Sequence, residues 1–149
     1  VSLFAIVLPI HVAFAIALFL PALLLPFALR TGRPATESRS RLVQALLRIQ
    51  GAGLVTGIGM AVTGVLLVVS LGLQVAEQPW LLVALAIYAL DLAIAFFIQR
   101  PNLRGLVGLR AAWDDRAWLA AARRQRYVSY AMAGLIGVIG YLMTAKPQL

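Results

Sequence analysis

Apolar residues fall in four long blocks, and polar residues collect at the joints between them. The blocks cover 3–29, 51–73, 79–98 and 127–144. A helix needs about 20 mostly apolar residues to cross a hydrocarbon core about 30 Å thick. The pattern therefore predicts an all-α bundle of four transmembrane helices, built as a single domain over 1–149, with basic loops at 30–50 and 99–126. The first block is much longer than the roughly 7–15 apolar residues of a signal-peptide core and lacks a basic start. It is expected to be a retained span.

Charge placement orients the bundle. The chain carries thirteen basic residues and a formal net charge of +8. Twelve of the thirteen lie in two segments: Arg30, Arg33, Arg39, Arg41 and Arg48 after the first block, and Arg100, Arg104, Arg110, Arg116, Arg123, Arg124 and Arg126 after the third. The link "GLQVAEQP" has none, and the tail has only Lys146. Basic segments mark the cytoplasmic side. Both termini are then expected outside, in a bacterial inner membrane, and the excess charge points to an anionic cytoplasmic leaflet rather than nucleic acid. Only 12% of the residues are charged, against about 25% in soluble domains, which excludes a water-solvated fold. There is no cysteine, so disulfides and thiolate metal sites are excluded. Each basic segment contains an Arg-Pro pair near its start, Arg33-Pro34 and Arg100-Pro101, which gives the two hairpins a similar plan.

The second basic segment has its own pattern. Leu106, Leu109, Trp113 and Ala117 recur at helical spacing, with Arg110, Asp114 and Arg124 elsewhere around the helix. This predicts an interfacial helix between spans 3 and 4. Trp113 would sit at the membrane surface, and Arg110, Arg116, Arg123, Arg124 and Arg126 would meet lipid headgroups or a partner.

Within the membrane, small residues permit close backbone approach where burial alone gives no preference. Gly53, Gly57 and Ala61 stand at four-residue steps in the second block, with Gly64 near the same face; Ser129, Ala133 and Gly137 repeat the spacing in the fourth, followed by Gly140. Spans two and four are expected to be the closely packed pair. The same glycines would also leave room for a flat cofactor. Pro9, Pro21 and Pro26 predict a kinked first span.

Few polar groups lie inside the spans. Asp91 stands in "LLVALAIYALDLAIAFF", about 18 Å from the outer end at 1.5 Å per residue. A charged Asp there costs about 2.5–3.5 kcal/mol on insertion scales. Thr63, Tyr88 and His11 are its expected partners. The arrangement suits either a polar clasp between helices or a proton- or ion-handling group. His11, the single histidine, is a candidate axial ligand to haem or to a chlorin magnesium, with Met60 as the opposite ligand. Together with Asp91 and the methionines it offers a copper-like soft site. A histidine bonded to a neighbouring helix is the plain alternative. There is no phosphate loop, nucleophile elbow or metalloprotease motif, so the protein is expected not to be an enzyme.

The first-span histidine, the stretch "GAGLVTGIGMAVTGVLLV" and the third span ending "FFIQRPNLRGL" resemble a group of small four-span bacterial integral membrane proteins of unknown function, loosely akin to copper-resistance D (CopD-like) membrane domains. The resemblance implies a four-helix bundle and a histidine-centred site at His11. The leading functional expectation is a non-catalytic accessory subunit of a larger respiratory or photosynthetic membrane complex. The alternative is a membrane protein that handles haem, chlorin, copper or another ion through His11 and Asp91.

Overall fold

The computed structural model describes residues 2–30, 37–112 and 115–146, with backbone alone at 37–40, 109–112 and 115. Helices account for nearly all of this, and no strand occurs among the described residues. They are α1 (Leu3–Ala28), α2 (Glu37–Gly51), α3 (Gly53–Ser70), α4 (Pro79–Ile94), α5 (Arg100–Ala112) and α6 (Asp115–Ala145). A 3-10 turn, Val75–Glu77, precedes α4, and a π-helical turn, Ala95–Gln99, joins α4 to α5. Four stretches are long and apolar enough to cross a membrane: Leu3–Ala28, Gly53–Ser70, Pro79–Gly108 and Arg116–Ala145.

Local chemistry sets several boundaries. The Ser2 side chain accepts a hydrogen bond from the Ala5 amide and caps α1. Pro79 opens α4, where its missing N–H is no loss. Gly72, at φ 63°, takes the left-handed conformation that ends the turn after α3. α1 continues through Pro9, Pro21 and Pro26.

The expected basic loops are largely helical. α2 leads into α3 across Ala52 alone, whose amide bonds to the Arg48 carbonyl. Among the described residues, the segment expected as a separate interfacial helix is divided between two elements. α5 prolongs the third span beyond the π turn, while 116–126 form the first turns of α6. Of the residues in that spacing, Leu106 packs between helices and Ala117 is half-buried, while the side chain of Leu109 lies outside the described residues. Leu106 is fully buried in a cluster with Leu25, Leu29, Val43, Leu103, Trp118 and Ala122. This core joins both basic segments at one end of the bundle. Asn102 Nδ2 donates to Gln125 Oε1 at 2.8 Å, tying α5 to α6, and Gln125 Nε2 donates to Ser129 Oγ at 3.0 Å within α6. Trp113 lies outside the described residues, as does the side chain of Arg110. Arg116, Arg123 and Arg124 are exposed and Arg126 is half-buried.

Helix pairing also departs from the expectation for spans two and four. α1 packs along both α3 and α6, and α6 packs along α4. Contact between α3 and α4 is local. A Cβ built on Gly57 would stand 2.8 Å from Leu92 Cδ2, and the Tyr88 hydroxyl donates to the Gly57 carbonyl. Toward α1, a Cβ built on Gly59 would lie 2.7 Å from Phe14 Cζ. Gly53, Gly137 and Gly140 have no heavy atom within 4 Å of such a Cβ. The spacing of small residues was visible in sequence, but not which stripe meets a bulky aromatic.

Candidate functional site around His11

His11 follows Val7 by one turn on the buried stripe of α1. Its Nδ1 lies 2.8 Å from Thr63 Oγ1 on α3. That hydroxyl is also 2.9 Å from the Gly59 carbonyl and 3.0 Å from the Met60 carbonyl. A threonine has one hydroxyl proton and two lone pairs. With the proton given to the backbone carbonyls, Oγ1 accepts from Nδ1–H. In that arrangement the hydrogen is on Nδ1 and Nε2 keeps a lone pair. Gly64 makes room for the ring: a Cβ there would stand 3.3 Å from His11 Cε1.

Two apolar spaces meet at this imidazole. A groove of about 430 Å³ between α1 and α6 is lined by His11, Phe19, Met60, Gly137, Gly140 and Met143, among others. A hollow of about 110 Å³ between α3, α4 and α6 is lined by His11, Met60, Ala61, Gly64, Tyr88 and Met143, among others. His11 and Met60 are buried and come together as expected. Ala61 and Gly64 border the smaller hollow, and Gly137 and Gly140 form part of the groove wall. Ala133 is buried in α6, and Gly57 faces α4 instead. Met143, named in the sequence only among the methionines, lines both spaces; at 1.5 Å per residue it stands about 3 Å from the end of α6 against about 12 Å for His11 in α1, so depth did not single it out.

Asp91 stands apart from this cluster. Thr63 is committed to His11, and Tyr88 to the Gly57 carbonyl, so neither serves the carboxylate. Asp91 is 3% exposed, and its Oδ1 has no hydrogen-bond partner. It lines a different hollow, toward the basic end, that does not include His11. The sequence could place these groups at similar depths but not on their actual faces, which depend on helix rotation.

The chemistry available at His11 follows from its surroundings. A neutral imidazole whose outer nitrogen is oriented by a hydrogen bond is the usual second-shell preparation of a metal-ligating histidine. The thioethers of Met60 and Met143 are soft donors. Among the described residues no three His, Cys, Asp or Glu side chains gather as a metal cluster.

Four membrane-length helices around buried polar groups define a polytopic integral membrane protein. The chain belongs to the DUF2269 family of predicted integral membrane proteins, whose model matches residues 5–147. No curated protein and no solved structure matches it.

Proposed function

We propose that the protein binds a flat, metal-bearing macrocycle of the haem or chlorin class in the outer half of the bundle, with His11 Nε2 as its axial ligand. The observation that supports this is the His11–Thr63 contact beside a 430 Å³ apolar groove that His11 also lines: with Nδ1 engaged at Thr63, Nε2 is the nitrogen left to hold a metal. Pockets for such ligands are concave, mostly apolar and of about 300–1,000 Å³. Met60 and Met143 stand on the same walls as candidates for an opposite ligand. Asp91 takes no part in this site. The basic end faces the cytoplasm of a bacterial inner membrane in this reading, placing the groove toward the outer surface.

The test is purification in mild detergent with a visible absorption spectrum and metal analysis. The expected result is a Soret or chlorin band with stoichiometric metal, lost in His11→Ala and weakened about 10–100-fold in affinity by Thr63→Val, the typical cost of removing a second-shell partner. A wild-type protein that takes up neither macrocycle nor metal from an excess would defeat the proposal.

One observation favours the accessory-subunit reading as a second possibility. Gly137 and Gly140 remain unpacked within the bundle, and a small-residue face accepts a partner helix as readily as a cofactor. Mild extraction would then co-purify another membrane subunit without colour, and Gly137→Leu would release it.

A further inference from the structure

Three buried side-chain oxygens lack a hydrogen-bond partner among the described residues: Asp91 Oδ1, Gln50 Oε1 and Gln99 Oε1. Their residues are 3%, 7% and 3% exposed, respectively, and all line one hollow of about 30 Å³. They arrive from separate elements: Gln50 from the last turn of α2, Asp91 from α4 and Gln99 from the π turn. In an unbroken α-helix of 3.6 residues per turn, Gln99 would stand roughly 80° around the axis from Asp91. The wider π turn slows that rotation and returns Gln99 toward the carboxylate's side; such turns often mark functional positions.

An unsatisfied buried acceptor costs about 1–3 kcal/mol. Three around one hollow call for something that brings hydrogens. The space is large enough for a water, which needs about 10–15 Å³. A water donates two hydrogen bonds, and a neutral carboxyl donates one. One water and one proton on Asp91 thus supply a hydrogen for each of the three oxygens.

The hollow also has a direction. Its lining passes from Tyr88, Asp91 and Leu92 to Gln50, Gln99 and Arg100, toward the basic end. On the other side, the contact of Gly57 with Leu92 and Tyr88 closes α3 on α4. Tyr88 and Arg100 are the other titratable groups in the lining. The tyrosine hydroxyl is bound to the Gly57 carbonyl, and the guanidinium carbon of Arg100 lies 5.9 Å from the centre of the Phe96 ring.

We propose that Asp91 is a proton-accepting site served from the basic end of the bundle, with Gln50 and Gln99 holding the water that delivers the proton. A hydronium at the basic face gives its proton to the held water, which passes one to the Asp91 carboxylate. The hydronium becomes water, the carboxylate becomes a neutral carboxyl, and the held water is regenerated. Release is the reverse. Gln50 and Gln99 are positioning residues, and no step depends on His11.

The test is infrared spectroscopy of the full chain in vesicles, with pH set independently on the two sides. The expected result is a protonated-carboxyl band that is absent in Asp91→Asn and follows the pH on the α2–α5 side alone. Gln50→Leu and Gln99→Leu are expected to slow its response to a pH jump several-fold while leaving its amplitude. The wild-type measurement stands alone should those variants fail to fold. The proposal is overturned if Asp91 contributes no such band at any pH, or if its band follows the pH of the opposite side. It is also overturned by a band that responds to sodium at constant pH, or by glutamine variants that fold and respond as fast as wild type.

Discussion

The two ends of this bundle are held together differently. At the basic end, Leu25 and Leu106 are 0% exposed and Trp118 is 1%, inside a cluster drawn from α1, α2, α5 and α6. Within the spans, many large apolar side chains face outward: Val55 is 75% exposed, Phe97 73% and Val69 69%. Burial from water rewards the first arrangement. It gives little to the second, because lipid solvates leucine as well as another helix does. The protein thus has a tightly buried core at its basic end and a looser opposite half, where the groove beside His11 lies.

The largest expected effect tests that difference directly. Trp118→Ala should destabilise the fold by about 3–5 kcal/mol, the usual cost of truncating a buried large aromatic. Phe97→Ala should cost less, about 0.5–1.5 kcal/mol, the worth of the edge-to-face contact its exposed ring makes with Phe96. Reversible unfolding in mixed micelles gives both values. Equal losses would show that the basic-end core has no special weight.

Close approach between spans should give the next effect. Gly59→Ala forces a methyl group against the Phe14 ring, and overpacking of this kind costs about 1–3 kcal/mol. Phe14→Leu in the same chain should recover much of it. Gly53→Ala, with open space at its Cβ, should instead stabilise by about 0.4–1 kcal/mol through the unfolded chain. The pair separates glycines used for packing from glycines that merely repeat at the right spacing.

Those glycines show where sequence reading reached its limit. Four spans, the gathering of arginine at one end and the burial of His11 follow from block length, charge and composition, all local properties. Which helices touch depends on the rotation of each rod about its axis, and a helix that is apolar on every side carries little information about that. The stripes on α3 and α6 therefore suggested a close pair, whereas α3 packs chiefly along α1, and α6 along α4 and α1. Asp91 was matched by depth with Thr63, Tyr88 and His11, though the three face other partners. Gln50 and Gln99 escaped notice because glutamines beside arginines look like surface residues. Only the fold of α2 and the π turn bring them to the hollow. The basic-end helices had a visible apolar period, but that period did not distinguish a lipid surface from another helix.

The smallest effect sharpens the comparison through hydrogen bonds. Tyr88→Phe removes the bond to the Gly57 carbonyl on α3. Interhelical bonds of this kind within a bilayer average about 0.6 kcal/mol and reach about 1.7. They are weak because the separated helices find other partners in the membrane. Asn102→Ala at the basic end leaves Gln125 Oε1 without its donor, in a side chain that is 0% exposed. Stranding a buried acceptor there should cost about 1–3 kcal/mol, more than the loss at Tyr88. Unfolding measurements on the two variants, each paired with deletion of its partner group where the partner is a side chain, should preserve that order. The reverse order would mean that water reaches Gln125 at the basic end, and that the membrane half, for all its exposed apolar surface, holds the more rigid polar contact.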